Sequence, residues 1–225
     1  MSQLVTRDFT LGERSPHLTI SGTVTHSTNF PLVTALFDHE SGGYFDGGLI
    51  EITSTGSAVV SATDIGTAFG YFAGGYGSAF INRGSLSVTA LQQAFGIYTH
   101  GSDFSAVNAG TLRVQSNTMD AIGIQAMNGI DLTNSGRLEV IGVRLAHGVV
   151  SERGGHIDNS GTLIARGAEE NVGIVVRHFQ AETVSIENTG TIEADIAVLD
   201  DSGRYSPPQH AVQTLVNSGT IRGAI

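Results

Sequence analysis

One short phrase returns along the chain and fixes what it can fold into: an asparagine, any residue, a glycine, usually a hydroxyl, then an aliphatic residue. It reads Asn82-Arg83-Gly84-Ser85-Leu86, Asn108-Ala109-Gly110-Thr111-Leu112, Asn134-Ser135-Gly136-Arg137-Leu138, Asn159-Ser160-Gly161-Thr162-Leu163, Asn188-Thr189-Gly190-Thr191-Ile192 and Asn217-Ser218-Gly219-Thr220-Ile221. The asparagines stand 26, 26, 25, 29 and 29 residues apart. Self-similarity at such a period is the signature of a solenoid, whose repeats bury their apolar faces only by stacking on one another.

Each repeat has an internal grammar. Two residues before the asparagine, or the serine that replaces it in Ser54-Thr55-Gly56, stand Ile52, Phe80, Ala106, Leu132, Ile157, Ile186 and Leu215. Four after it stand Ala58, Leu86, Leu112, Leu138, Leu163, Ile192 and Ile221. Six after it, Val60, Val88, Val114, Val140, Ala165 and Ala194 follow. Alternation with a period of two means short strands with one buried face. A third apolar knot lies mid-repeat: Phe69-Gly70-Tyr71, Phe95-Gly96-Ile97, Ile122-Gly123-Ile124, His147-Gly148-Val149 and Val172-Gly173-Ile174. No 3.6-residue period marks a helix.

Three strands per repeat, stacked on their copies about 4.8 Å apart, predict an all-β fold: a right-handed parallel β-helix of about seven to eight coils, about 35–40 Å long. Residues 1–17 read as an entry segment or cap and 18–225 as a single β-helix domain, truncated at its C-terminus. In the earliest copy, Leu18–Val24, Ile20 takes the asparagine's place. The recurring asparagines and glycines are expected to serve the corners, where a positive φ suits them. Stacked asparagine amides are also expected to bond from coil to coil.

Composition narrows the functions. A formal charge of −10 and no lysine argue against nucleic acid as a partner. The absence of cysteine removes disulfides and thiolate metal sites. With 30 glycines, 4 prolines and 40% hydrophobic residues, tight turns between short strands are favoured over disorder. No apolar run is long enough for a membrane-spanning helix, so membrane insertion of this segment is not expected.

The runs Asn159-Ser160-Gly161-Thr162-Leu163, Glu187-Asn188-Thr189-Gly190-Thr191-Ile192 and Asn217-Ser218-Gly219-Thr220-Ile221 resemble the passenger domains of bacterial autotransporters. The resemblance covers roughly residues 50–225. It implies a right-handed β-helix, export to the cell surface and a role as a stalk for adhesion, with a surface glycan or protein as partner. The opening Met1-Ser2-Gln3-Leu4-Val5-Thr6-Arg7-Asp8 lacks the pattern of a signal peptide, and no membrane barrel with alternating strands follows. A piece of a longer secreted protein is therefore expected.

Parallel β-helices also carry enzymes and carbohydrate-binding modules, and a glycosidase needs two carboxylates on neighbouring coils. Asp158 and Glu187, both one residue before an asparagine in adjacent repeats, come nearest to that requirement; Glu139 and Glu193 share another position. A lyase would pair Arg137, Arg166 or Arg177 with acids holding calcium, and no such acid cluster accompanies them. Catalysis is accordingly the lesser expectation. No cofactor is expected beyond calcium at the glycine-rich loop, where Asp38, Glu40 and Asp46 supply hard oxygen ligands. His147 takes a place otherwise apolar and reads as structural, while His178 and His210 have no spaced partners for a metal.

The aromatic residues gather at Phe69, Tyr71, Phe72, Tyr76 and Phe80, with Tyr44 and Phe45 upstream. Those facing outward would make a sugar-stacking or apolar contact surface, and Tyr71, Phe72 and Tyr76 are the binding candidates. The threonine column Thr111, Thr162, Thr191 and Thr220 is broken by Arg137, which argues against ice binding. The segment Asp200–Pro208 is an insertion of the kind that scaffolds display. A weaker expectation is an assembly subunit that stacks end to end through exposed strand edges.

Overall fold

The computed structural model describes residues 17–28, 32–38, 47–63, 66–177, 183–201 and 214–225. Every regular element among them is a β-strand, and all the pairings are parallel, between strands about one repeat apart. The period-two alternation and the scarcity of helix-forming runs leave the chain no other way to bury its aliphatic residues.

The strands stack in three columns. The first holds His17–Ile20, Leu49–Ile52, Ala79–Asn82, the ends of Gln93–Asn108 and Ala121–Asn134, then Gly155–Asn159, Val184–Asn188 and Thr214–Asn217. The second holds Thr23–Thr28, Ser57–Ala62, Ser85–Ala90, Thr111–Ser116, Arg137–Ile141, Thr162–Arg166, the start of Thr191–Asp200, and Thr220–Ala224. The third holds Leu32–Asp38, Thr67–Ala73, the starts of Gln93–Asn108 and Ala121–Asn134, then Leu145–Glu152, Glu170–Arg177 and the end of Thr191–Asp200. The result is a parallel β-helix.

Equivalent side chains lie over one another. Leu86, Leu112, Leu138, Leu163 and Ile192 form one unbroken stack in the second sheet, each at most 1% exposed. Burying each such side chain stabilises the fold by about 1.5–3 kcal/mol. Opposite them, Phe80, Ala106, Leu132, Ile157 and Ile186 line the first sheet, and Ala68, Ala94, Ala121 and Ala146 the third. Small alanines there leave room for the larger residues facing them.

The asparagines from Asn82 to Asn188 stack inside this apolar column, and the exposed Asn217 continues the stack. Nδ2 of Asn82 donates to Oδ1 of Asn108 at 2.8 Å, and Asn108 to Asn134 at 2.7 Å. Asn134 to Asn159, Asn159 to Asn188 and Asn188 to Asn217 follow at 2.6 Å each. Burial makes each rung count, because an amide without a partner would forfeit its water bonds for nothing.

Two readings of the corner are corrected. The serine of Ser54-Thr55-Gly56 is not the asparagine's equivalent, because Ile52 pairs with Asn82 and Ile50 with Phe80. The turn after Ile52 is simply two residues longer. The recurring glycines are also needed for a reason other than positive φ: among the described residues, none of Gly84, Gly110, Gly136, Gly161, Gly190 and Gly219 has one, nor has any of the asparagines. A Cβ on Gly136 would sit 2.1 Å from the carbonyl oxygen of Gly110, and the same clash recurs up the column. That oxygen accepts from Arg137 N at 2.8 Å, so the coils close down on the glycines. Close approach, not backbone freedom, demands them.

Candidate functional site

The third sheet departs from strict alternation. In Thr67–Ala73, Phe69 and Phe72 are half-buried while Gly70 and Tyr71 between them are both buried. The strand bends at the glycine, and the face that each following residue presents is reversed. Gly96 and Gly123 repeat the bend. Phe69, Phe95 and Ile122 therefore lie on the outer surface in register, with Phe72, Tyr98 and Gln125 beside them.

The five rings of Phe69, Phe72, Phe95, Tyr98 and His100 pack into one mosaic across two coils. Phe69 stacks on Phe95 with centroids 4.9 Å apart and 13° between planes, and Tyr98 meets Phe95 and Phe72 at 5.5 Å. His100 closes the edge 4.8 Å from Tyr98. Partial burial, and secondarily the negative charge of Glu152, raise the Tyr98 phenol above its ordinary pKa, so its hydroxyl remains a hydrogen-bond donor at neutral pH.

Further along the same face the surface turns polar, then apolar. Gln125 Nε2 donates to Glu152 Oε1 at 3.1 Å, and Arg177 reaches Glu152 at 3.5 Å and Asp201 at 3.3 Å. Val150, Val172 and Val175 form a second, smaller cluster with Ile122, Ile196 and Leu199. His147 lies in the column of Phe95 and Ile122, 4% exposed, with Nε2 2.8 Å from Glu170 Oε1. Burial lowers its pKa more than the Glu170 contact raises it, so its ring is neutral at pH 7. It is structural.

Of the binding candidates, Tyr71 is corrected. Its ring is fully buried, stacked 5.2 Å from Phe80 inside the helix, because the bend at Gly70 turns it inward. Phe72 is half-buried in the mosaic, and Tyr76 is exposed. Phe95, Tyr98 and His100 were not among the candidates. The signal was the glycine inside each mid-repeat knot, which disrupts the parity of the strand.

Asp158 and Glu187 are register neighbours on adjacent coils of the first sheet's outer face, half-buried and exposed respectively. Glu40 and Asp46, like Tyr44, Phe45, His178 and His210, lie outside the described residues, as does the side chain of Asp38. Among the described residues, no three His, Asp or Glu side chains gather as a metal site would require.

The family model described as the BigA third pectate lyase-like domain matches residues 13–222. No curated protein and no solved structure matches the chain.

Proposed function

The chain belongs to the family of the BigA third pectate lyase-like domain, and on that premise we propose that it is a rigid adhesive segment of a bacterial surface protein. Domains of this type belong to bacterial surface proteins. The asparagine phrases it shares with autotransporter passengers favour the same route of export. The stacked coils hold the outer faces in fixed register, and the mosaic of Phe69, Phe72, Phe95, Tyr98 and His100 is the observation that carries the reading. Flat, partly exposed rings beside hydrogen-bonding groups suit the apolar faces of a surface sugar or a matching protein patch.

The test is retention of the purified chain on arrays of glycans and host-surface proteins. Replacing Tyr98 and His100 together with alanine is expected to cut binding about tenfold, since each lost ring pair is worth about 0.5–1.5 kcal/mol. The melting temperature should change little, because both rings lie outside the core. Undiminished binding by the double variant would overturn the assignment of this face.

A second reading is a polysaccharide-cleaving enzyme. The pairing of Asp158 with Glu187 favours it, since neighbouring coils bring the two carboxylates to one surface. Release of reducing ends from plant or capsular polysaccharides, lost in Glu187→Gln, would support that reading.

A further inference from the structure

The outward positions of the second sheet gather arginine in a chain that is acidic overall. Arg113, Glu139, Ile164, Glu193 and Arg222 share one row on five successive coils. Beside it runs the row of Thr111, Arg137, Thr162, Thr191 and Thr220, and on its other side Arg166 stands in register with Ile141. Four guanidinium groups and two carboxylates thus share one face of a chain whose formal charge is −10. At physiological salt, exposed charges more than about 8 Å away are largely screened, so a ligand on this face meets the local positive excess.

The two signs also stand at different depths. The side chains of Glu139 and Glu193 are 13% and 32% exposed, those of the four arginines 44–67%. Glu139 Oε1 accepts from Arg137 at 2.9 Å and from Arg166 at 3.5 Å, and Arg113 lies 3.9 Å from its Oε2. Glu193 accepts from Arg166 at 2.7 Å and from Arg222 at 3.2 Å. Arg166 therefore ties both carboxylates into one ladder, and its hydrogen bond is the main reason that Glu193 sits below the usual carboxylate range. These bonds engage one or two nitrogens of each arginine, and a guanidinium carries five N–H donors. The carboxylates are neutralised close to the sheet, and guanidinium is what an incoming ligand meets. Arg166 and Arg222 also line an open cleft of about 580 Å³ with Glu193, Asn171 and Asp195. Asp195, the further acid at that corner, accepts from Asn171 Nδ2 at 2.6 Å.

We infer that this face binds a linear sulfated glycan laid along the axis of the rod, with its sulfates on Arg113, Arg137, Arg166 and Arg222. Arg113, Arg137 and Arg166 stand on consecutive coils and Arg222 two coils beyond, so the fold sets cations at multiples of about 4.8 Å. A carboxylate has two coplanar oxygens and fills one guanidinium fork. A sulfate offers three acceptor oxygens and spans forks on neighbouring coils. The hydroxyls of Thr111, Thr162, Thr191 and Thr220 flank the arginines and suit the hydroxyls of a sugar. No aromatic residue occupies the strands of this sheet, so a single-stranded nucleic acid would find no ring on which to stack its bases.

This surface goes beyond the adhesive reading, whose rings lie on the third sheet, and each can fail alone. The experiment measures binding of the full chain to heparin oligosaccharides, with polygalacturonate and duplex DNA as the other polyanions. Heparin should bind, more weakly as salt is raised, and more tightly than either alternative. Arg137→Gln combined with Arg222→Gln should weaken it about tenfold or more. Arg166 still holds both carboxylates in that variant, so its melting curve should change little. Arg83→Gln removes a cation paired with Glu51 away from this face and should keep the full affinity, as should Tyr98→Ala with His100→Ala. No binding of heparin, or binding undiminished in the double arginine variant, overturns the inference. Equal affinity for polygalacturonate overturns the sulfate assignment, and equal affinity for DNA overturns the glycan.

Discussion

Asn82 stands directly on Ile52, and there the ladder of amides stops. Every rung above is an amide donating to the next oxygen, but the buried Oδ1 of Asn82 meets an aliphatic side chain and has no hydrogen-bond partner. The cost of that orphan oxygen, about 1–3 kcal/mol, is borne at one junction so that five rungs can form beyond it.

Position within the ladder therefore decides what an asparagine is worth. Asn134→Leu removes two rungs and strands the amide of Asn108 and the oxygen of Asn159, so it should cost about 2–5 kcal/mol. Asn82→Leu removes one rung and deletes an oxygen that had no partner, and should cost clearly less. Urea unfolding of the two variants, side by side, checks the order.

The corner glycines should be intolerant of a single methyl group. Gly136→Ala drives a Cβ into the carbonyl of Gly110, and the coils must part to admit it, at about 3 kcal/mol or more. Gly22→Ala has nothing within 4 Å of the added carbon and should be near neutral. Thermal melts of the pair separate close approach from a general glycine preference.

In the aliphatic stack, Leu138→Ala empties a site that is 1% exposed and should cost about 2–5 kcal/mol. Leu138→Asp should prevent folding, since it buries a carboxylate with no partner. A normal melt for Leu138→Asp would refute the inward assignment.

Acidification should weaken the fold through His147. Burial depresses its folded-state pKa below the ordinary histidine value of 6.5, so the unfolded chain binds the proton more readily. Its contribution is present above about pH 6.5 and is lost as the pH falls toward the lowered folded value. His147→Val, matching Ile122 and Val172 in the same column, should flatten the fall in melting temperature between pH 7.5 and pH 5.

The second sheet was legible in the sequence because its repeat carries no insertions between glycine and aliphatic residue. Leu112, Leu138 and Leu163 could be aligned by counting, and they stack as counted. Counting failed wherever length or parity changed locally. Two extra residues after Ile52 shifted the apparent equivalent to Ser54, and only hydrogen-bond register reveals the shift. The bends at Gly70 and Gly96 exchanged inside for outside, sending Tyr71 inward and leaving Phe95 and Tyr98 in the outer mosaic.

All the rungs from Asn82 to Asn217 run in one sense, each coil offering an oxygen toward the preceding coil and a nitrogen toward the following one. A duplicated repeat spliced anywhere between them would meet the complementary atom on both sides, so rod length can drift by whole turns at no cost in amide pairing. An extra asparagine-bearing turn inserted beneath Asn82 would do better still, handing its nitrogen to the stranded oxygen and moving the defect down by one floor.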